Sequence, residues 1–97
     1  MEKNSHTVLS KSYLSILEII GGIKFTSREI DILACILEGR TSKKIASFLR
    51  LSPKTIENYL HNIRLRLECN SREGIRDFLE KSDKVFFLKI HYSFLVF

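Results

Sequence analysis

The side chains able to do chemistry are few and scattered. His6, His61 and His91 lie far apart, and neither Cys35 nor Cys69 has a neighbour at metal-ligand spacing. No glycine-rich phosphate loop, paired catalytic carboxylates or Ser/His/Asp arrangement can be assembled, so the expectation is no enzyme, no cofactor and no metal. What the chain does concentrate is positive charge. Residues 40–66 hold Arg40, Lys43, Lys44, Arg50, Lys54, Arg64 and Arg66 against Glu57 alone, seven cations to one anion and a net of +6. The whole chain is only +5, because residues 25–39 hold one cation to three anions and residues 67–82 hold three to four. A total of +5 is unremarkable for a soluble domain, but its confinement to one window points to an anionic partner.

The elements that must position those charges read as helices. Leu9, Tyr13, Ile16, Leu17 and Ile20 recur at helical spacing and predict an amphipathic helix over 7–20, closed by Gly21-Gly22. Phe25-Thr26-Ser27-Arg28-Glu29-Ile30 is a helix start: Thr26 caps, Glu29 completes a capping box, and Phe25 and Ile30 occupy the staple positions. Ile30, Leu33, Ala34 and Leu37 form the inner stripe, and Gly39 ends the helix. Thr41 or Ser42 caps a short second helix with Ile45, Ala46, Phe48 and Leu49 inward. Ser52-Pro53 opens a third, with Ile56, Tyr59, Leu60, Ile63 and Leu67 inward. A last core helix starts near Asn70-Ser71-Arg72-Glu73 and buries Ile75, Phe78 and Leu79. In the tail, Leu88, Ile90, Tyr92, Phe94 and Val96 alternate with Lys89, His91, Ser93, Leu95 and Phe97. Period two predicts a strand there, with a helix as the alternative. Both cysteines sit in apolar surroundings and read as buried, unreactive thiols.

Two helices joined by a tight turn, with a small Ala46 in the first and a proline-capped entry to the second, form a helix-turn-helix arrangement. An ordinary helical hairpin would show the same caps and stripes, but would not gather a net of +6 onto them. The stretch from Phe25 to about Ser82 resembles the LuxR/FixJ-type C-terminal DNA-binding domain of bacterial transcription regulators. The resemblance is carried by Phe25-Thr26, Arg28-Glu29, Asp31-Ile32-Leu33, Gly39, Ser42-Lys43-Lys44-Ile45-Ala46, Leu49, Leu51-Ser52, Thr55-Ile56-Glu57, Ile63, Leu67 and Ser71-Arg72.

The resemblance implies an all-α fold: a four-helix LuxR-type helix-turn-helix core at 25–82. An N-terminal helix and Gly-Gly linker (1–24) would precede it and an apolar tail (83–97), strand or helix, would follow. It also implies that the third core helix, about 53–67, enters the major groove of double-stranded DNA. By position, Glu57, Asn58 and His61 would face base edges, while Lys43, Lys44, Lys54, Thr55 and Arg64 would lie near phosphates. Lys43 and Lys44 open a helix whose free N–H groups favour a phosphate. Arg64 and Arg66 come late in theirs, where a cation also suits the helix dipole. Many members carry Lys where this chain has Glu57 and His where it has Tyr59. Glu57 would accept from cytosine N4 or pair within its helix, and Asn58 suits adenine. The last core helix, about 72–81, is expected to support a homodimer, with the tail as a second contact.

The alternative is a protein-interaction module that keeps the same fold, for example a polymerase- or regulator-binding domain. Residues 1–5 lack signal-peptide character, and the apolar run 85–97 is too short to span a bilayer. Two cysteines suit a reducing compartment, so a cytoplasmic, nucleoid-associated protein without membrane attachment is expected.

Overall fold

The computed structural model describes residues 14–96. Residues 14–17 are helical. The expected helix over 7–20 is corrected at its end, and its segment 7–13 lies outside the described residues. Ile19–Ile20 (β1) leaves the helix and pairs antiparallel with Ile23–Lys24 (β2), in the register Ile19 to Lys24 and Ile20 to Ile23. Gly21 and Gly22, expected as a helix stop, form the two-residue turn between these strands. Both have positive φ, 58° and 81°, the combination that matches the twist of paired strands and that only glycine adopts freely. Gly21 also has to be small: a Cβ there would sit 2.6 Å from the Phe78 ring.

Five helices follow: α1 (Ser27–Leu37), α2 (Ser42–Leu49), α3 (Pro53–Leu67), α4 (Arg72–Glu80) and α5 (Val85–Leu95). Each of the first four starts on a side-chain cap that relieves an orphan backbone N–H. Thr26 Oγ1 accepts from Glu29 N at 3.2 Å while Glu29 Oε1 accepts from Thr26 N at 2.9 Å, the reciprocal capping box. Thr41 caps α2, Ser52 caps α3 ahead of Pro53, and Ser71 caps α4. The mostly helical architecture matches the all-α expectation. Ile30, Leu33, Ile45, Ile56, Leu60, Ile63, Ile75 and Leu79 meet in one core. Tyr59, Leu67 and Phe78 pack only partly buried at its edge.

The tail takes the helical alternative, not the strand. α5 lies on α1 and buries Leu88 and His91, three residues apart, as a helix requires and an alternating strand forbids. Polar contacts fix it along its length. Lys84 Nζ donates to the carbonyls of Ile16 and Ile19 at 3.1 Å each, and Lys89 Nζ lies 3.3 Å from Glu38 Oε2. His91 Nε2 lies 2.7 Å from Asp31 Oδ1. Arg40 Nε donates to Tyr92 Oη at 2.7 Å, and the same ring meets Phe48 edge-on with centroids 6.2 Å apart. α5 is apolar nearly all round, so alternation was incidental rather than a sign of one buried face.

The thiols differ more than the sequence suggested. Cys35 is fully buried, and its pKa is pushed up to about 12, chiefly by burial, with Asp31 and Glu38 adding and Arg40 opposing. Cys69 is only half-buried, and its Sγ lies 3.8 Å from the Ser71 carbonyl. At pH 8, a disulfide-exchange reagent is therefore expected to modify Cys69 in the folded protein and Cys35 only after unfolding in urea. Mass spectrometry of the labelled peptides reads this out, and fast native labelling of Cys35 would contradict the packing of α1.

Candidate nucleic-acid interface

α2 and α3 are set against each other by a three-residue turn. Arg50 ends α2 in the left-handed conformation (φ 59°), Leu51 N donates to Ala46 O at 2.9 Å, and Ser52 begins the cap of α3. Ala46 is buried where the two helices meet, and its lack of bulk lets them approach. Ser52 Oγ accepts from Thr55 N at 3.1 Å and lies 3.0 Å from Thr55 Oγ1, which holds the half-buried Thr55 at the helix entrance.

α3 divides cleanly between its two sides. Ile56, Leu60 and Ile63 are buried, whereas Lys54, Glu57, Asn58, His61, Asn62 and Leu65 are exposed. Lys43 and Lys44 are exposed in the first turn of α2, where Lys44 N donates to Thr41 Oγ1 at 3.1 Å, and Lys44 Nζ stands 5.9 Å from the Phe48 ring centroid. Arg64 is half-buried in the last turn of α3. The structure thus brings Lys43, Lys44, Lys54, Glu57, Asn58 and His61 to the exposed sides of two touching helices, with Thr55 and Arg64 at the margins.

Two cations of the central window serve the fold. Arg66 Nη2 lies 2.7 Å from Glu29 Oε2, Nη1 donates to Lys24 O at 2.9 Å, and the guanidinium stands 4.9 Å from the Phe25 centroid. Arg40 is spent on Tyr92 of α5, by its hydrogen bond and by stacking at 5.7 Å from the ring centroid. The charge left facing solvent is therefore Lys43, Lys44, Arg50 and Lys54, with Arg64 partly covered.

Glu57 has a specific role that local reading missed. Its carboxylate Oε2 accepts from Ser42 Oγ, and so reaches across to α2 rather than to its own helix. The same Ser42 Oγ accepts from Arg72 Nη2 at 2.6 Å, while Arg72 Nη1 donates to Arg40 O at 2.6 Å. Arg72 thus ties the start of α4 to the first residues of α2, and Ser42 carries the link on to Glu57 of α3. Its placement carried a signal: a cation in the first turn of a helix opposes the helix dipole, which suggests a partner elsewhere. Ser42 was free for this job because Thr41, one residue earlier, does the capping.

Among the described residues no cluster of three or more His, Cys, Asp or Glu side chains could hold a metal, and no helix is long and apolar enough to cross a membrane.

Residues 24–78 match the family described as bacterial regulatory proteins, luxR family. The chain is 46% identical over 48 residues to the uncharacterized response regulatory protein YgeK of Escherichia coli (strain K12), a match covering 50% of this chain and 33% of that protein. It is 35% identical over 60 residues to a Pseudomonas aeruginosa protein carrying the name "Putative transcriptional regulator", covering 62% of this chain and 29% of that one. The matched region thus spans about a third of the length of these curated relatives. No solved structure matches the chain.

Proposed function

Because the chain belongs to the LuxR family of bacterial regulatory proteins, we propose that it binds double-stranded DNA sequence-specifically as the reading domain of a cytoplasmic transcription regulator. The observation that carries this reading is the shared exposed face of α2 and α3. Lys43, Lys44 and Lys54 on it are exposed and would meet phosphates, and the exposed Glu57, Asn58 and His61 add carboxylate, amide and imidazole groups. Lys43, Lys44, Lys54, Thr55 and Arg64 hold the backbone and set the register of docking, while Asn58 and His61 meet base edges in the major groove. Glu57 keeps Oε1 to accept from a cytosine N4 while Oε2 stays with Ser42. Two copies joined through α4 would read half-sites about one helical turn apart. Catalysis has no part in this reading.

Replacing Lys43 and Lys54 together by alanine is expected to lower affinity for every duplex roughly tenfold at low salt, and to flatten the salt dependence by about two in log–log slope. Asn58→Ala should instead relax preference at one base pair, at a cost of about 1–3 kcal/mol. Fluorescence anisotropy with duplexes selected from a random pool measures both. Unchanged affinity in the double lysine variant would sink this docking. Failure to enrich any motif, with binding to polymerase or another protein retained, would favour the interaction-module reading.

A further inference from the structure

We propose that Leu65 is a base-reading residue of this domain, packing its side chain on the 5-methyl group of a thymine in the major groove. This deepens the DNA-binding reading above and rests on it. Leu65 is 64% exposed, although it is a large apolar side chain on a helix whose other leucines and isoleucines are buried or half-buried. The other exposed large apolar residues among those described lie at Ile16, Ile19, Phe86 and Val96, outside α2 and α3. No core contact explains an exposed leucine there, and its solvation is unfavourable.

Its position on the helix is specific. Lys54, Asn58, His61 and Leu65 follow one another at spacings of four, three and four residues, and Asn62 sits beside them. They therefore form one outward line opposite Ile56, Leu60 and Ile63. In one class of helix-turn-helix variant the major-groove helix reads bases with side chains at i, i+3, i+4 and i+7, extending beyond its first turns, and Asn58, His61, Asn62 and Leu65 have that spacing. Hydrogen-bonding side chains occupy the first three positions. An aliphatic one at the fourth suits the apolar feature of a base pair in that groove, the thymine methyl. Arg64 on one side and Lys54 at the other end keep the line within a cationic surround that suits the phosphates flanking the groove. Seven residues separate Leu65 from Asn58, roughly 10 Å along the helix axis. That distance is about three base-pair rises, so the thymine lies roughly two to four base pairs from the pair that Asn58 reads.

The test uses the full chain and the duplex enriched from a random pool, with each thymine replaced in turn by 2′-deoxyuridine, which removes the methyl and leaves pairing intact. The unsubstituted protein is expected to lose affinity roughly fourfold at one thymine, at the stated distance from the base pair whose preference Asn58→Ala relaxes. Leu65→Ala should bind the thymine and uridine duplexes equally, and Leu65→Met, which keeps an apolar contact, should restore the difference. Leu65 is outside the core, so circular dichroism and the urea midpoint of both variants should match the parent. A motif that is enriched but has no methyl-sensitive thymine overturns the proposal while leaving DNA reading intact. So does a full uridine penalty retained in Leu65→Ala. Enrichment of no motif at all overturns this proposal together with the reading on which it rests.

Discussion

Leu88→Ala is expected to destabilise the protein by about 2–5 kcal/mol, the usual cost of emptying a fully buried leucine site. Phe86→Ala, two residues earlier, should change stability by no more than about 0.5 kcal/mol, because Phe86 is 67% exposed. The contrast follows from backbone geometry. On a strand, residues two apart share a face and the two substitutions would behave alike. On α5 they fall on nearly opposite sides, with Leu88 beside His91 and against α1. Urea denaturation monitored by circular dichroism gives both values. Similar losses at the two positions would mean that the 85–95 segment is not the helix described here. For a domain with a total stability on the order of 5–15 kcal/mol, the Leu88 loss is large.

Arg72→Ala should remove about 2–3 kcal/mol and, under the proposed docking, weaken duplex binding, although Arg72 is not among the residues proposed to meet DNA. Its guanidinium makes two short charge-assisted bonds, to Arg40 O and Ser42 Oγ, each 2.6 Å. Without it, Ser42 loses one of its two partners and Lys43 sits on a less firmly anchored turn. Arg72→Lys should not restore stability, because a single ammonium cannot present the planar fork that reaches both acceptors. Ser42→Ala should cost less alone, and combined with Arg72→Ala should add less than the sum, since both changes break the same link. Full additivity in urea midpoints would show that Arg72 and Ser42 act independently.

How much of this was visible in the one-dimensional pattern depends on the range of the contact. The caps of α1 and α3 and the start of α4 near Asn70-Ser71 were legible because a cap spans only three residues. The inner face of α3 was legible because its stripe is one-sided, whereas α1 is buried nearly all round, Ile32 and Ile36 included, since α5 packs on it as well as the other core helices. The β-hairpin was hidden because Gly-Gly terminates helices and turns strands equally well, and the choice is made by the pairing of Ile20 with Ile23 and the burial of Ile20. α5 misled for another reason: apolar residues nearly all round it let an incidental period-two alternation stand out over the helical one. His91 and Asp31 stand 60 positions apart, and Arg72 and Ser42 stand 30 apart. Neither pair falls inside any window of local reading. The line Lys54, Asn58, His61 was accessible from the period of α3. The fold itself spends Arg40 and Arg66 on packing and makes Glu57 a strut to α2, which no local pattern announces.

The docking of α5 on α1 has a consequence for how the protein comes into being. The ribosome makes α1 early and α5 only after α2, α3 and α4, so the face of α1 that receives Leu88 stays uncovered while those helices emerge. The helix-turn-helix can assemble from neighbours close in sequence, whereas closure of the far side waits for a segment more than fifty residues downstream of Asp31. Until then the nascent chain carries a bare aliphatic strip, the kind of surface that chaperones hold and that drives aggregation. Covering this face of α1 thus waits for the last described helix.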